Sequence, residues 1–241
     1  MSSDPRPASG RVAKSLVVAG ASRIAGGVLE GVFTAAARLR PAAKPLHPQG
    51  ETLAATIARA GLTPAVGVPW IDEPGVDEGV VRVSRAVGLP SGWPDIFGLA
   101  MRVPTVSGHG DVLFATTGRG AVGRFLLLPG RSTSSWTYTT LLPYRTASGP
   151  LLLAAESDGP DAFTLACARI TGPWTDFGHI ELDAASGSGA DDAQGTGPAF
   201  DPVLNQIPGL SYYPWAARLR EGSYRAARYS RGKNLNGSPP E

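Results

Sequence analysis

The chain is 241 residues long, 42% hydrophobic and 17% charged, enough to bury one sizeable core and consistent with a single globular domain with tails. Its 22 basic and 20 acidic residues leave a net charge of +2, too small to mark a nucleic-acid or membrane-surface protein. The lone cysteine, Cys167, excludes a disulfide framework, a cysteine-built zinc site and an iron–sulfur cluster within one chain, and fits a reducing, cytoplasmic setting.

Residues 1–12 are polar and turn-rich and read as a disordered tail. Arg6, Arg11 and Lys14 precede "SLVVAGA" in the manner of a signal peptide, but Arg23 interrupts an apolar run that is already too short, so secretion is rejected. Over residues 13–39 the positions Val17, Ala21, Ile24, Val28, Val32, Ala35 and Leu39 step by three and four, which predicts a helix ended by Pro41. Only one face of it is apolar, so packing on the domain is preferred to membrane contact. No stretch approaches the roughly 20 apolar residues of a spanning helix.

From about residue 50 to 183 the texture changes to short β-rich runs between glycine, proline and polar turns. They are "GVVRVS", "GLAMRV", "DVLFATT", "GRFLLLP", "WTYTTLLPY", "PLLLAAE", "FTLACARI" and "HIELD". Such close spacing leaves no room for the crossover helices of a parallel sheet and predicts an antiparallel barrel or sandwich. "GETLAATIARAG" is ambiguous: Leu53, Ala55 and Ile57 alternate as in a strand, while its alanines favour a helix. Residues 184–198, "AASGSGADDAQGTGP", carry nothing to bury and read as a mobile loop. Pro214 is placed to start a helix running to about Arg231, and 232–241 is a tail. The expected fold is therefore α+β, one domain over 13–231 with an antiparallel β core and a helix at each end.

Several motifs have bland readings that outweigh the sharp ones. "GRGAVG" (118–123) matches G-x-G-x-x-G, but "RFLLLPG" follows it as a strand rather than a helix, so a turn is expected there and not a dinucleotide site. "GHGD" (108–111) hints at a metal-dependent phosphoesterase, yet the sequence has no second histidine–aspartate cluster. His109 and Asp111 are expected to be solvated turn residues, and His179 a strand residue. Cys167 alternates with Leu165 and Phe163 and is expected in the core.

"LREGSYRAARYSRG" (219–232) is less easily dismissed. On a helix Arg220, Tyr224, Arg228 and Arg231 share one face at i, i+4, i+8 and i+11. A cation one turn away favours the phenolate form of a tyrosine, and phenolate is a hard donor suited to ferric iron. The remaining arginines can pair with carboxylates such as haem propionates. A solvated basic helix with its tyrosine on the core is the alternative.

Taken together with other stretches in the same chain order, this pattern resembles the haem-dependent catalases and their smaller relatives. "LHPQG" (46–50) resembles V-H-A-K-G, "VRVS" (81–84) resembles V-R-F-S, "PDIFGLAMRV" (94–103) resembles D-P-R-G-x-A-x-R-F, and "GHGDVLFATT" (108–117) resembles G-N-W-D-L-V-G-N-N. The resemblance covers roughly residues 45–125 and 200–231, the middle strands matching only in texture. It implies a catalase-like antiparallel β-barrel, with haem b as cofactor in an apolar barrel pocket. It further implies Tyr224 as axial iron ligand, Arg82, Arg220, Arg228 and Arg231 as cofactor-binding cations, and His47 and Ser84 on the distal side.

The sequence also departs from that pattern. Ala115 or Thr116 stands where catalases carry a distal asparagine, Thr116 being the candidate for a catalytic role. The implied function is thus peroxidase-like, on hydrogen peroxide or organic hydroperoxides, rather than efficient dismutation. The alternatives are a degenerate barrel that binds haem or an apolar ligand without turnover, and, last, the metal phosphoesterase.

Overall fold

Apolar and polar residues that alternate over short runs build strands with one buried face, and here such runs close into a barrel. The computed structural model describes residues 49–85, 93–134, 136–187, 198–218 and 220. Its strands are β1 (Gln49–Arg59), β2 (Gly75–Arg85), β3 (Phe97–Thr105), β4 (Gly108–Thr117), β5 (Thr137–Thr139), β6 (Tyr144–Thr146), β7 (Gly149–Ser157), β8 (Ala162–Ala168), β9 (Thr175–Asp183) and β10 (Ser211–Tyr212). All pairings between them are antiparallel. The order β7-β5-β4-β3-β2-β1-β9-β8 closes on itself through β7 and β8, giving an eight-stranded barrel; β6 and β10 extend it beside β7.

The inward positions are large and apolar. Leu53, Ala55 and Ile57 of β1, Leu99, Met101 and Val103 of β3, Tyr138 of β5, and Phe163, Leu165 and Cys167 of β8 are all buried. Tyr138 and Phe163 meet edge to face at 5.8 Å, an arrangement that aromatic quadrupoles favour. "GETLAATIARAG" is thus resolved as a strand, because its alternating residues find an apolar interior. Helix among the described residues is confined to the single turn α1 (Pro69–Asp72) and the stretch 214–218, which starts at Pro214 as expected. None of it is long and apolar enough to cross a membrane.

Two predicted strands are corrected. "WTYTTLLPY" is not one strand but two short ones, β5 and β6, because Leu141 between them adopts a left-handed φ of 59°, which a regular strand does not accommodate. "GRFLLLPG" is not a strand either. Gly123–Phe125 form a 3-10 turn, and the rest pairs with neighbouring backbone at the isolated bridges Thr117–Leu127 and Asp95–Gly130. The reason is Arg124, whose guanidinium donates to the carbonyls of Gly120, Arg169 and Gly172 and stacks 4.6 Å from the centre of the Trp174 ring. "GRGAVG" forms a closed loop, the Gly118 amide donating to Gly123 O at 3.0 Å.

At the start of the 184–198 loop, Ala184–Ser186 form a 3-10 turn. Asp183 Oδ1 accepts from the Ala185 amide at 3.0 Å, and Ser186 Oγ accepts from the Ala54 amide at 2.8 Å. The predicted helix over 13–39, both tails, the remainder of that loop and the chain beyond Arg220 lie outside the described residues.

Candidate functional site

An eight-stranded barrel is just wide enough for side chains to fill, and this one is filled by the leucines, isoleucines and aromatic rings above. No room for a ligand is left inside the barrel, and of the candidate residues Arg82 and Ser84 sit on its outer face. Strand register carries one row of outward residues across seven strands: Gly50, Ser84, Gly98, Ala115, Thr139, Ala154 and Ala166. No side chain in this row is larger than threonine, but from β5 onward the row is already covered by the chain: Thr139, Ala154 and Ala166 are buried, and Thr139 Oγ1 donates to Arg124 O at 2.8 Å. The shelf is therefore the Gly50 to Ala115 part of the row.

Arg82 and Ser84 both face this shelf, since alternate residues of a strand share a face. Their positions converge on Gly50, the last residue of "LHPQG". A Cβ added to Gly50 would lie 2.8 Å from Cζ and from Nη2 of Arg82 and 2.9 Å from Cβ of Ser84. Only glycine leaves room for the guanidinium there. Ser84 is buried, and its hydroxyl donates to Gly98 O over a long 3.4 Å.

Thr116 is not brought to this face. Its side chain points inward, where Oγ1 donates to Leu128 O at 2.8 Å and accepts from the Phe97 amide at 3.2 Å. Ala115 holds the shelf position in its stead, between Gly98 and Thr139. Sequence alone left Ala115 and Thr116 open; the register decides between them.

Arg220 docks at the end of β5. Its Nη2 donates to Thr140 O at 3.1 Å, and its guanidinium lies 5.2 Å from the centre of the Tyr212 ring. Tyr212 in turn stacks on Tyr144 at 4.8 Å with their hydroxyls 3.0 Å apart. From Arg82 on β2 to Thr140 after β5 is three strand spacings, about 14 Å along the sheet. His47, Tyr224, Arg228 and Arg231 lie outside the described residues.

The remaining candidates resolve differently from expectation in one case. Asp111 is not a solvated turn residue: its side chain is fully buried and forms a bidentate pair with Arg102, which stands directly opposite on β3. Burial raises its pKa, but hydrogen bonds from Arg102, Asn205 and the Asp201 amide, with the Arg102 charge, outweigh that and hold it below the usual carboxylate range. His109 is exposed. His179 lies on β9, its Nδ1 3.8 Å from Asp158. Cys167 is in the core, where burial pushes its thiol up to about 11, an unreactive setting. Among the described residues no three histidine, cysteine, aspartate or glutamate side chains group to hold a metal ion.

No protein-family model matches the sequence, and no curated protein does. The fold has close company among solved structures. A fungal catalase superposes with a TM-score of 0.57 at 11% identity, covering 83% of this chain and 61% of its own. A bacterial catalase gives 0.55 at 13% identity, covering 83% and 59%. Catalase A from Saccharomyces cerevisiae gives 0.57 at 12% identity, covering 83% and 62%. This chain thus spans less than two thirds of each. At such identities the likeness is one of fold, and the barrel is catalase-like.

Proposed function

We propose that the protein binds haem b against the outer shelf and has peroxidase-like activity on hydrogen peroxide or organic hydroperoxides. The observation that carries the reading is the run of small residues Gly50, Ser84, Gly98 and Ala115 on the outer face with the Arg82 guanidinium beside it. A planar macrocycle needs a surface free of bulky side chains, and its two propionates need cations. The small residues from Gly50 to Ala115 answer the first need, and Arg82 supplies one cation towards the second. The chemistry that bound haem supplies is a ferric iron at which a peroxide O–O bond is cleaved.

The chain's own residues would do the rest. Tyr224, four residues after Arg220 in the sequence, would hold the iron through its phenolate oxygen, a form that a neighbouring guanidinium such as that of Arg220 would favour. Arg82, Arg228 and Arg231 would meet propionates. His47, three residues before Gly50, would accept and return the proton of a bound peroxide, an acid–base role that suits an imidazole. The Ser84 hydroxyl orients that imidazole. Thr116 has no part in this, because its hydroxyl is engaged inside the barrel.

Ala115 favours a second reading, in which the barrel binds haem or an apolar ligand without turnover. A methyl group at that shelf position offers a peroxide no hydrogen bond. Both readings are tested on full-length protein expressed with added haem. The first expects a strong Soret band whose position changes in Tyr224→Phe; a colourless protein, or an unaltered band in the variant, refutes it. His47→Ala should slow turnover of cumene hydroperoxide by about 10²- to 10⁴-fold, whereas unchanged turnover favours the second reading.

A further inference from the structure

Residues 198–213 carry the chain from the end of the barrel to the helical stretch at 214, with only the two-residue strand β10 as regular structure. Such a segment needs anchors, and one buried carboxylate provides most of them. Asp111 accepts from Nε and Nη2 of Arg102 at 2.7 and 2.8 Å, from the Asp201 amide at 2.7 Å and from Asn205 Nδ2 at 2.9 Å. Its own amide donates to Asn205 O at 2.9 Å. Arg102 adds a bond to Ala199 O at 2.6 Å and lies 5.0 Å from the centre of the Phe200 ring. Next to it, a Cβ on Gly110 would sit 2.5 Å from Ile207 Cγ1, so the absence of a side chain lets the segment approach β4. At its far end the segment pairs β10 with β6 and stacks Tyr212 under Arg220.

We infer that Asp111 is a positioning residue: its carboxylate fixes residues 199–207 on the barrel and thereby the 211–220 stretch that carries Arg220 to the end of β5. A buried carboxylate is tolerated only with its partners in place. Lifting the segment away would strip it of the Asp201 and Asn205 donors, so the segment is held by the cost of leaving that charge undersatisfied. What the arm delivers to the shelf rests on the haem reading; the clamp does not.

The test uses the full chain and two variants, Asp111→Asn and Asn205→Ala, the second leaving the Arg102 pair intact and serving should the first fail to fold. Hydrogen exchange of amides in 199–212, and of the residue-111 amide that bonds Asn205 O, should quicken by about tenfold or more in Asp111→Asn while β1 to β3 keep their rates, with a smaller change in the same place for Asn205→Ala. Unchanged rates, or equal quickening throughout the barrel, would overturn the inference. The second readout is haem titration: Asp111→Asn should weaken uptake about tenfold and move the haem band, a coupling of the size expected between linked sites. Quickened exchange with unaltered haem affinity and band would refute the positioning role. A wild-type chain that takes up no haem would sink the haem reading, and the exchange maps would still decide the clamp.

Discussion

The two faces of the same strands obey different rules. Inward, β3 presents Phe97, Leu99, Met101 and Val103, and outward Gly98, Ala100 and Arg102. Inside, volume is what the sequence supplies: side chains interdigitate and exclude any ligand. Outside, the row Gly50, Ser84, Gly98 and Ala115 is small, while the same face further along the strands carries charged groups such as the Arg102–Asp111 pair. The contrast teaches that an interior so filled leaves the outer wall, not the bore, as the surface open to a ligand. A substitution should therefore be read by face before it is read by residue type.

The largest expected effect breaks the inner face. Phe163→Ala removes a fully buried ring that meets Tyr138 edge to face, and should cost about 3–5 kcal/mol of unfolding free energy. The denaturant midpoint measures it. A loss below about 1 kcal/mol would mean the interior collapses around the gap or is loosely packed, and the comparison would lose its first term.

A smaller effect tests the outward charge that is buried. The Asp111 carboxylate titrates below the usual range in the folded chain, so its folded pKa lies under its unfolded value of about 3.9. Its stabilisation is accordingly complete above the unfolded value and disappears as pH falls through the folded one. Wild type should exceed Asp111→Asn by about 2 kcal/mol at neutral pH, the worth of hydrogen bonds to a charged group. That margin should shrink towards zero on acidification below about pH 4. A margin independent of pH would show that shape, and not charge, holds the segment.

How much of this was legible in the sequence follows from which signals are local. Alternation of Leu53, Ala55 and Ile57 was visible in the sequence, because it needs only neighbours two apart, but the alanines beside them also suited a helix; only the apolar barrel interior decided for a strand. The split of "WTYTTLLPY" at Leu141 was illegible, since a single left-handed leucine leaves no compositional mark. The strand expected in "GRFLLLPG" failed because Arg124 seeks carbonyls more than forty residues away, at Arg169 and Gly172. Asp111 was misread for the same reason: its donors at Asp201 and Asn205 are some ninety residues distant. The small-residue row could have been found by alternation, but only register across β1 to β4 assembles Gly50, Ser84, Gly98 and Ala115 into one surface.

The smallest expected effect on stability is the one that sharpens the comparison most. Gly50→Ala places a methyl group against the Arg82 guanidinium and the Ser84 Cβ. The guanidinium is the end of a flexible side chain and can swing away, so the fold should lose no more than about 1 kcal/mol, the ordinary size of a single substitution effect. Haem uptake by Gly50→Ala should nevertheless fall, since the displaced cation no longer meets a propionate, and Gly50→Ala combined with Arg82→Ala should be no worse than Arg82→Ala alone. Non-additivity of that kind belongs to residues acting through one another. If instead the two losses add, or if Gly50→Ala unfolds the chain as Phe163→Ala does, the outer wall is packing like the inner one and the division between scaffold and site does not hold.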